Sequence, residues 1–153
     1  MTLNWKDNSK LAEALLSSIK KYSLGFTPGE IPSNPISPHE SVNLLYYGNP
    51  AILCEDSEGR LMFYSQHGKS VFGYSADEAI GMSSVDLAPE RFREGREQLF
   101  NEIIERDKPE TIGTVRIHKS GKEINISAQV FPYEINGEKS IGAIVKKLTD
   151  KTL

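Results

Sequence analysis

The chain has a single cysteine, Cys54, so no disulfide can form within it, and a cytoplasmic setting is expected. Cys54 lies in the apolar run AILC and reads as a small buried hydrophobe rather than a reactive thiol. Only three histidines occur, at positions 39, 67 and 118, too scattered to share a metal with the one cysteine. Long apolar runs are missing too: none approaches the roughly 20 residues that span a bilayer, so no membrane partner is expected. The opening MTLNWKDNSK carries Asp7 and lacks the apolar core of a secretory signal. Basic residues number 18 against 21 acidic ones, with no basic stripe, so nucleic acid is not an expected partner. No phosphate-cradling glycine loop is present, because Gly113, Gly121 and Gly137 stand singly. Catalytic constellations are missing as well. Ser70 and Ser75 have no evident base, Asp56 and Glu58 belong to a turn, and a non-catalytic role follows.

What is present is enough for one ordinary domain. The 153 residues are 38% hydrophobic and 25% charged, a globular balance. Two parts are expected: an N-terminal helix with a proline-rich linker over 1–37, and a main domain over 38–150. Asp7 or Asn8 can cap the first helix, which carries an apolar stripe of Leu11, Leu15 and Ile19 and stops at Gly25. That stripe must be covered either by the main domain or by a second copy of the chain. Pro28, Pro32, Pro35 and Pro38 then break the pattern. Ser37 to Glu40 is a capping box that starts a second helix through Val42 and Leu45.

Ala51 to Glu55 and Arg60 to Ser65 read as a strand hairpin about the turn Asp56 to Gly59. Between Gln66 and Gly81 two short helical turns follow, separated by Gly73, the second opened by a capping box at Ser75 and Glu78. A longer helix is expected from Pro89, with Gly95 inside it and Phe92, Leu99 and Ile103 on one stripe. Its charged run of Arg91, Arg93, Glu94, Arg96, Glu97 and Glu102 reads as a solvated face. Three strands close the chain. Thr111 to His118 alternates with Gly113, Val115 and Ile117 on one face, and Glu123 to Phe131 places Ile124, Ile126, Ala128 and Val130 together. Asn136-Gly137 is the strongest hairpin signal, and Ile141 to Leu148 is the last strand. Strands and helices segregated in this way argue for α+β with an antiparallel sheet.

This order, with FGYSADEAIGM at its centre, resembles the PAS domain family. The resemblance covers about Asn49 to Asp150, roughly two-thirds of the chain. It rests on the Glu58-Gly59 turn, the strand Leu61 to Tyr64, the small polar Ser65, and a core of Gly73, Tyr74, Ser75, Glu78 and Gly81. The charged hairpin Lys119 to Lys122 adds to it. MSSVDLAPE and TVRIHKSGKEINI also look like the MEKHLA subgroup. Two positions depart from the pattern: Ser65 stands where asparagine is common, and Lys147 where an acidic residue is.

Membership would imply a five-stranded antiparallel PAS-like sheet with short helices on one face and a pocket between them. It would also imply a sensor, taking a small molecule or a protein partner, or a dimerisation module with no ligand. Some members hold haem or flavin. Here the photoadduct cysteine is missing after Gly81, and residues 91–106 contain no haem-ligating histidine. His67, nearer the pocket mouth, reads as a surface or capping residue. The cofactor is therefore left unknown, and the expected partners are a small molecule, a second copy of the chain or a signalling protein. A pocket would be lined by Phe63, Val71, Phe72, Leu87, Phe92, Leu99, Val115, Ile126 and Ala128, the same residues that would otherwise fill a core.

Overall fold

The structure, a computed structural model, describes residues 9–24, 36–48 and 50–148. The capping residues expected at positions 7 and 8, the break from Gly25 through Pro35 and the tail from Thr149 lie outside them. In order come helices α1 (Ser9–Tyr22) and α2 (Pro38–Tyr47), then strands β1 (Ala51–Glu55) and β2 (Leu61–Tyr64). The short helices α3 (Gly68–Phe72) and α4 (Ala76–Ala79) follow, with 3-10 turns at Ser84–Leu87 and Glu90–Phe92. Helix α5 (Arg96–Arg106) leads into β3 (Glu110–Ile117), β4 (Glu123–Ile135) and β5 (Glu138–Lys147). The strands form one five-stranded sheet in the order β2-β1-β5-β4-β3, with every pair antiparallel.

Both faces of the sheet are covered. On one, Ala51, Leu53, Ile126, Ala128, Val130 and Val145 pack against α3, α4 and α5. On the other, Ile52, Cys54, Phe131, Tyr133 and Ile144 pack against α1 and α2. The central strands β1 and β5 are buried on both sides, which is why they read as near-continuous apolar runs rather than as alternating ones.

Helix α1 buries Leu11, Ala12, Leu15, Leu16 and Ile19, each at most 4% exposed. Burying each leucine or isoleucine contributes about 2 kcal/mol. The stripe is thus covered by the chain's own sheet. The helix stops earlier than Gly25: Ser23 takes a left-handed φ of 55°, and the Leu24 N–H closes on the Ile19 carbonyl at 3.0 Å.

Phe131 and Gly142 stand opposite each other between β4 and β5. A Cβ at position 142 would lie 2.6 Å from Phe131 Cζ and 3.3 Å from Leu15 Cδ2. The fully buried Phe131 ring has no free direction to move. Gly142→Ala is therefore expected to destabilise the domain by about 2 kcal/mol through overpacking. Much of that loss should return in the double variant with Phe131→Leu, as read by urea unfolding of all four proteins of the cycle.

Strand β4 runs on past Phe131. Pro132 is tolerated because β3 pairs no further than Val130, leaving that edge of β4 open. Asn136 (φ 52°) and Gly137 (φ 80°) make the expected two-residue turn. The helix expected from Pro89 does not form as one piece. A single 3-10 turn is followed by Gly95 at φ 80°, and α5 starts only at Arg96. Phe92 consequently leaves the Leu99–Ile103 stripe and is 38% exposed.

Candidate functional site

A cavity of about 60 Å³ lies between the sheet and a wall made by the end of α3, the 3-10 turn Ser84–Leu87 and α5. Of the nine expected lining residues, Phe72, Leu87, Ile126 and Ala128 face it. Val71 lies in the same core without reaching the cavity, and Leu99 packs half-buried against that core. Phe63 belongs to the opposite core under α1, because β2 alternates and Phe63 falls on the outer face. Phe92 is exposed for the reason given above. Val115 is on the wrong face: it pairs with Asn125, whereas Thr114 and Arg116 pair with the inward Ile126 and Ile124. The expected β3 alternation is therefore reversed, and Arg116 lines the cavity.

Four polar side chains interrupt the apolar lining: Glu55, Ser84, Arg96 and Arg116. Glu55 follows Ala51 and Leu53 on the helix face of β1. Arg96, in the first turn of α5, reaches its carboxylate with Nη2 2.7 Å from Oε2. The two side chains are only 12% and 17% exposed. The Ser84 hydroxyl donates to the same Glu55 oxygen and accepts from Arg96, closing a triad. The Arg96 guanidinium also sits 4.4 Å from the Phe100 ring centroid. Arg116 is differently placed. Its Nη1 donates to the Val115 carbonyl at 2.9 Å and to Thr114 Oγ1 at 3.2 Å, both neutral acceptors. Burial, with repulsion from Arg96 added and attraction to Glu55 opposing, holds its pKa down at about 10, so it remains a cation at neutral pH.

Sequence reasoning missed the three charged members. Arg96 falls in a charged run that reads as a solvated helix face, Arg116 alternates with the apolar Val115 and Ile117, and Glu55 ends a strand. The available signal was the alternation Ala51, Leu53, Glu55, which puts a carboxylate on the covered face, where it requires a cation.

The wall made by α3 and α4 is built from glycine stops and caps. Gly73 ends α3 with φ 86°, and the Ser75–Glu78 capping box opens α4. Ser65 does not cap α3 with its hydroxyl. Its Oγ instead accepts the Ile52 N–H at 2.8 Å, tying β2 to β1. The β3–β4 hairpin grips this wall from outside, with Lys119 N–H on the Phe72 carbonyl and Lys119 Nζ on Glu78 Oε2. The Lys119 ammonium, helped by the Ser75 amide, holds the Glu78 pKa down at about 2. A depressed carboxylate stabilises the fold above its unfolded pKa, and that contribution is lost as pH falls through the folded value. NMR titration should therefore find the Glu78 midpoint near 2, and Lys119→Met should move it up toward the ordinary glutamate range.

A larger recess, about 190 Å³, opens between α1 and the β4–β5 hairpin. It is lined mainly by polar groups, among them Lys21, Asp107 and Lys139. Asp107 is already engaged by Lys21 at 2.7 Å and by the Tyr22 hydroxyl, which hold its carboxyl below the usual range. The smaller, apolar cavity with a few convergent polar groups has the character of a ligand site. Among the described residues no cluster of metal-ligating side chains occurs, and no helix is long and apolar enough to cross a membrane.

The sequence profile of the MEKHLA domain matches residues 11–140, taking in most of α1 and strands β1 to β4 and ending at the start of β5. Comparison with curated proteins finds no significant match. Among solved structures, the PAS domain of a protein from Colwellia psychrerythraea superposes with a TM-score of 0.65 at 21% identity, over 72% of this chain and 95% of that one. A PAS domain from Desulfitobacterium hafniense matches at 25% identity with a TM-score of 0.55, over 64% and 92% of the two chains. An RNA-binding light-oxygen-voltage receptor gives a TM-score of 0.66 at 16% identity, covering 85% of this chain and 38% of the receptor.

The residues present do not fit haem or flavin. The cavity of about 60 Å³ compares with roughly 300–1,000 Å³ for pockets that hold drug-sized ligands. Helix α5 offers no histidine, and His67 sits at the start of α3 outside the cavity lining. Burial pushes the Cys54 thiol up to about 12, so it is neutral and unreactive.

Proposed function

This chain belongs to the MEKHLA domain family and folds as a PAS-like domain, and on that premise we propose that it is a non-catalytic sensory domain that takes a small molecule in the cavity between its sheet and α3–α5. One observation carries the reading. The cavity is apolar over most of its wall, yet four polar side chains converge on it from four separate elements: β1, the 3-10 turn Ser84–Leu87, α5 and β3. A ligand touching them would be felt along both the sheet and the helices. Its differential affinity for two arrangements of these elements is what a sensor requires.

The alternative, a dimerisation module that holds nothing, draws less support. The Leu11, Leu15 and Ile19 stripe it would use is buried against the chain's own sheet. RNA binding, a property of the light-oxygen-voltage receptor, has no counterpart in a chain of net charge -3.

Native mass spectrometry of the purified chain, followed by thermal unfolding with the molecules it reveals, tests the reading. A ligand should raise the melting temperature progressively with concentration. Ala128→Leu, which fills the cavity from the sheet side, should abolish that rise while leaving the domain folded. Protein that carries no ligand and is stabilised by none would refute it.

A further inference from the structure

We propose that the ligand is a short-chain aliphatic monocarboxylate whose carboxylate is held by Arg116. This rests on the reading of the cavity as a ligand site and names the class of molecule it takes.

The argument begins with charge. One carboxylate and two guanidiniums line the cavity, and the carboxylate is already used by Arg96 and Ser84. Arg116 has every one of its hydrogen bonds on neutral oxygens, and no carboxylate of the described residues lies within ion-pair distance of it. Among the described residues no side-chain nitrogen is buried without a partner, so its remaining N–H groups are reachable from water or from the cavity. A cation on an apolar wall is costly unless paired, and a guanidinium pairs best with a planar carboxylate that accepts two parallel hydrogen bonds.

Size and the rest of the wall narrow the class. A space of about 60 Å³ admits only a small ligand, so the acid must be short. Beyond the polar end the wall is Leu61, Leu87, Ile126, Ala128 and Val130, which suits an alkyl tail and offers nothing to a second charge. A dicarboxylate would have to bury its other carboxylate against these side chains or against Glu55. A phosphate would bring more negative charge than the single uncompensated cation balances.

The test is calorimetric titration of the full chain, in low-chloride buffer, with sodium butyrate, butanamide and sodium succinate. Butyrate should bind saturably and at least about tenfold more tightly than butanamide, the difference between a charge-assisted and a neutral hydrogen-bonded pair. R116Q should erase that difference and leave butanamide binding unchanged, while Arg116→Lys should keep part of it. The comparison of acid with amide needs no variant, so a poorly folded R116Q would not rescue the proposal. Equal binding of butanamide and butyrate, tighter binding of succinate, or undiminished butyrate binding by folded R116Q would overturn the proposal and leave the cavity standing as a ligand site. Failure of butyrate to bind would also overturn it. If native mass spectrometry then found another small molecule carried by the protein, the sensory reading would survive; if it found none, both would fall.

Discussion

Glu55→Gln is expected to lower the stability of the domain by about 3 kcal/mol, near the lower end of what breaking a buried ion pair costs. The replacement conserves shape, so no cavity is made and no packing is lost. Only the charge goes. Arg96 and Arg116 would then line one small cavity with no carboxylate between them, and the attraction that Glu55 exerts on Arg116 would disappear while the repulsion from Arg96 stayed. With the pair only 12% and 17% exposed, water screens little of this. The main-chain carbonyl of Glu55, which accepts from the Tyr133 and Ser140 hydroxyls at 2.7 Å each, is untouched by the change. For a domain of this size the loss corresponds to a melting temperature lower by about 6–12 °C. Adding Arg96→Gln removes one of the two cations, so the double variant should be less destabilised than the sum of the single ones. A loss within about 0.5 kcal/mol for Glu55→Gln would mean that solvent already screens the pair, and the electrostatic account of the cavity would be wrong.

Leu15→Ala should be as damaging, again by about 3 kcal/mol, through the lost transfer energy and the hole left on the sheet. Leu15 is fully buried and belongs to the same core as Phe131 and Tyr133, with its Cδ2 close above Gly142. Because the helix packs on its own chain, the loss should be the same at every protein concentration. Had the stripe been covered by a second copy, the melting temperature would depend on concentration by mass action. Equilibrium unfolding at two concentrations a hundredfold apart separates these cases. Glu13→Ala, on the exposed side of the same helix, is the control and should change little.

Much of the framework was legible in particular residues. The Asn136-Gly137 turn, the Ser75–Glu78 capping box, the buried run AILC and the α1 stripe are each local patterns with one cheap structural solution. The site was legible only in part. Phe72, Leu87, Ile126 and Ala128 were identified as facing inward, and they do line the cavity. Val115 was assigned to the wrong face because both faces of β3 carry apolar residues, and a period of two does not say which face is covered. Arg96 was lost in a charged run for a similar reason. Until Gly95 is seen to take a left-handed turn, the phase of the helix behind it is undetermined.

The sequence by itself determined the order of strands and helices along the chain, the turns and caps, the α+β class and the absence of a cysteine after Gly81 that flavin photochemistry would need, because each depends on neighbours along the chain. Only the tertiary structure decided that the sheet is covered on both sides, that α1 belongs to one of those covers, and that Glu55, Arg96 and Arg116 meet in one small cavity. Those residues are 41 and 20 positions apart, and their meeting depends on which face each strand and helix turns inward. Burial and charge compensation settle that choice together, and they act only once the elements have packed.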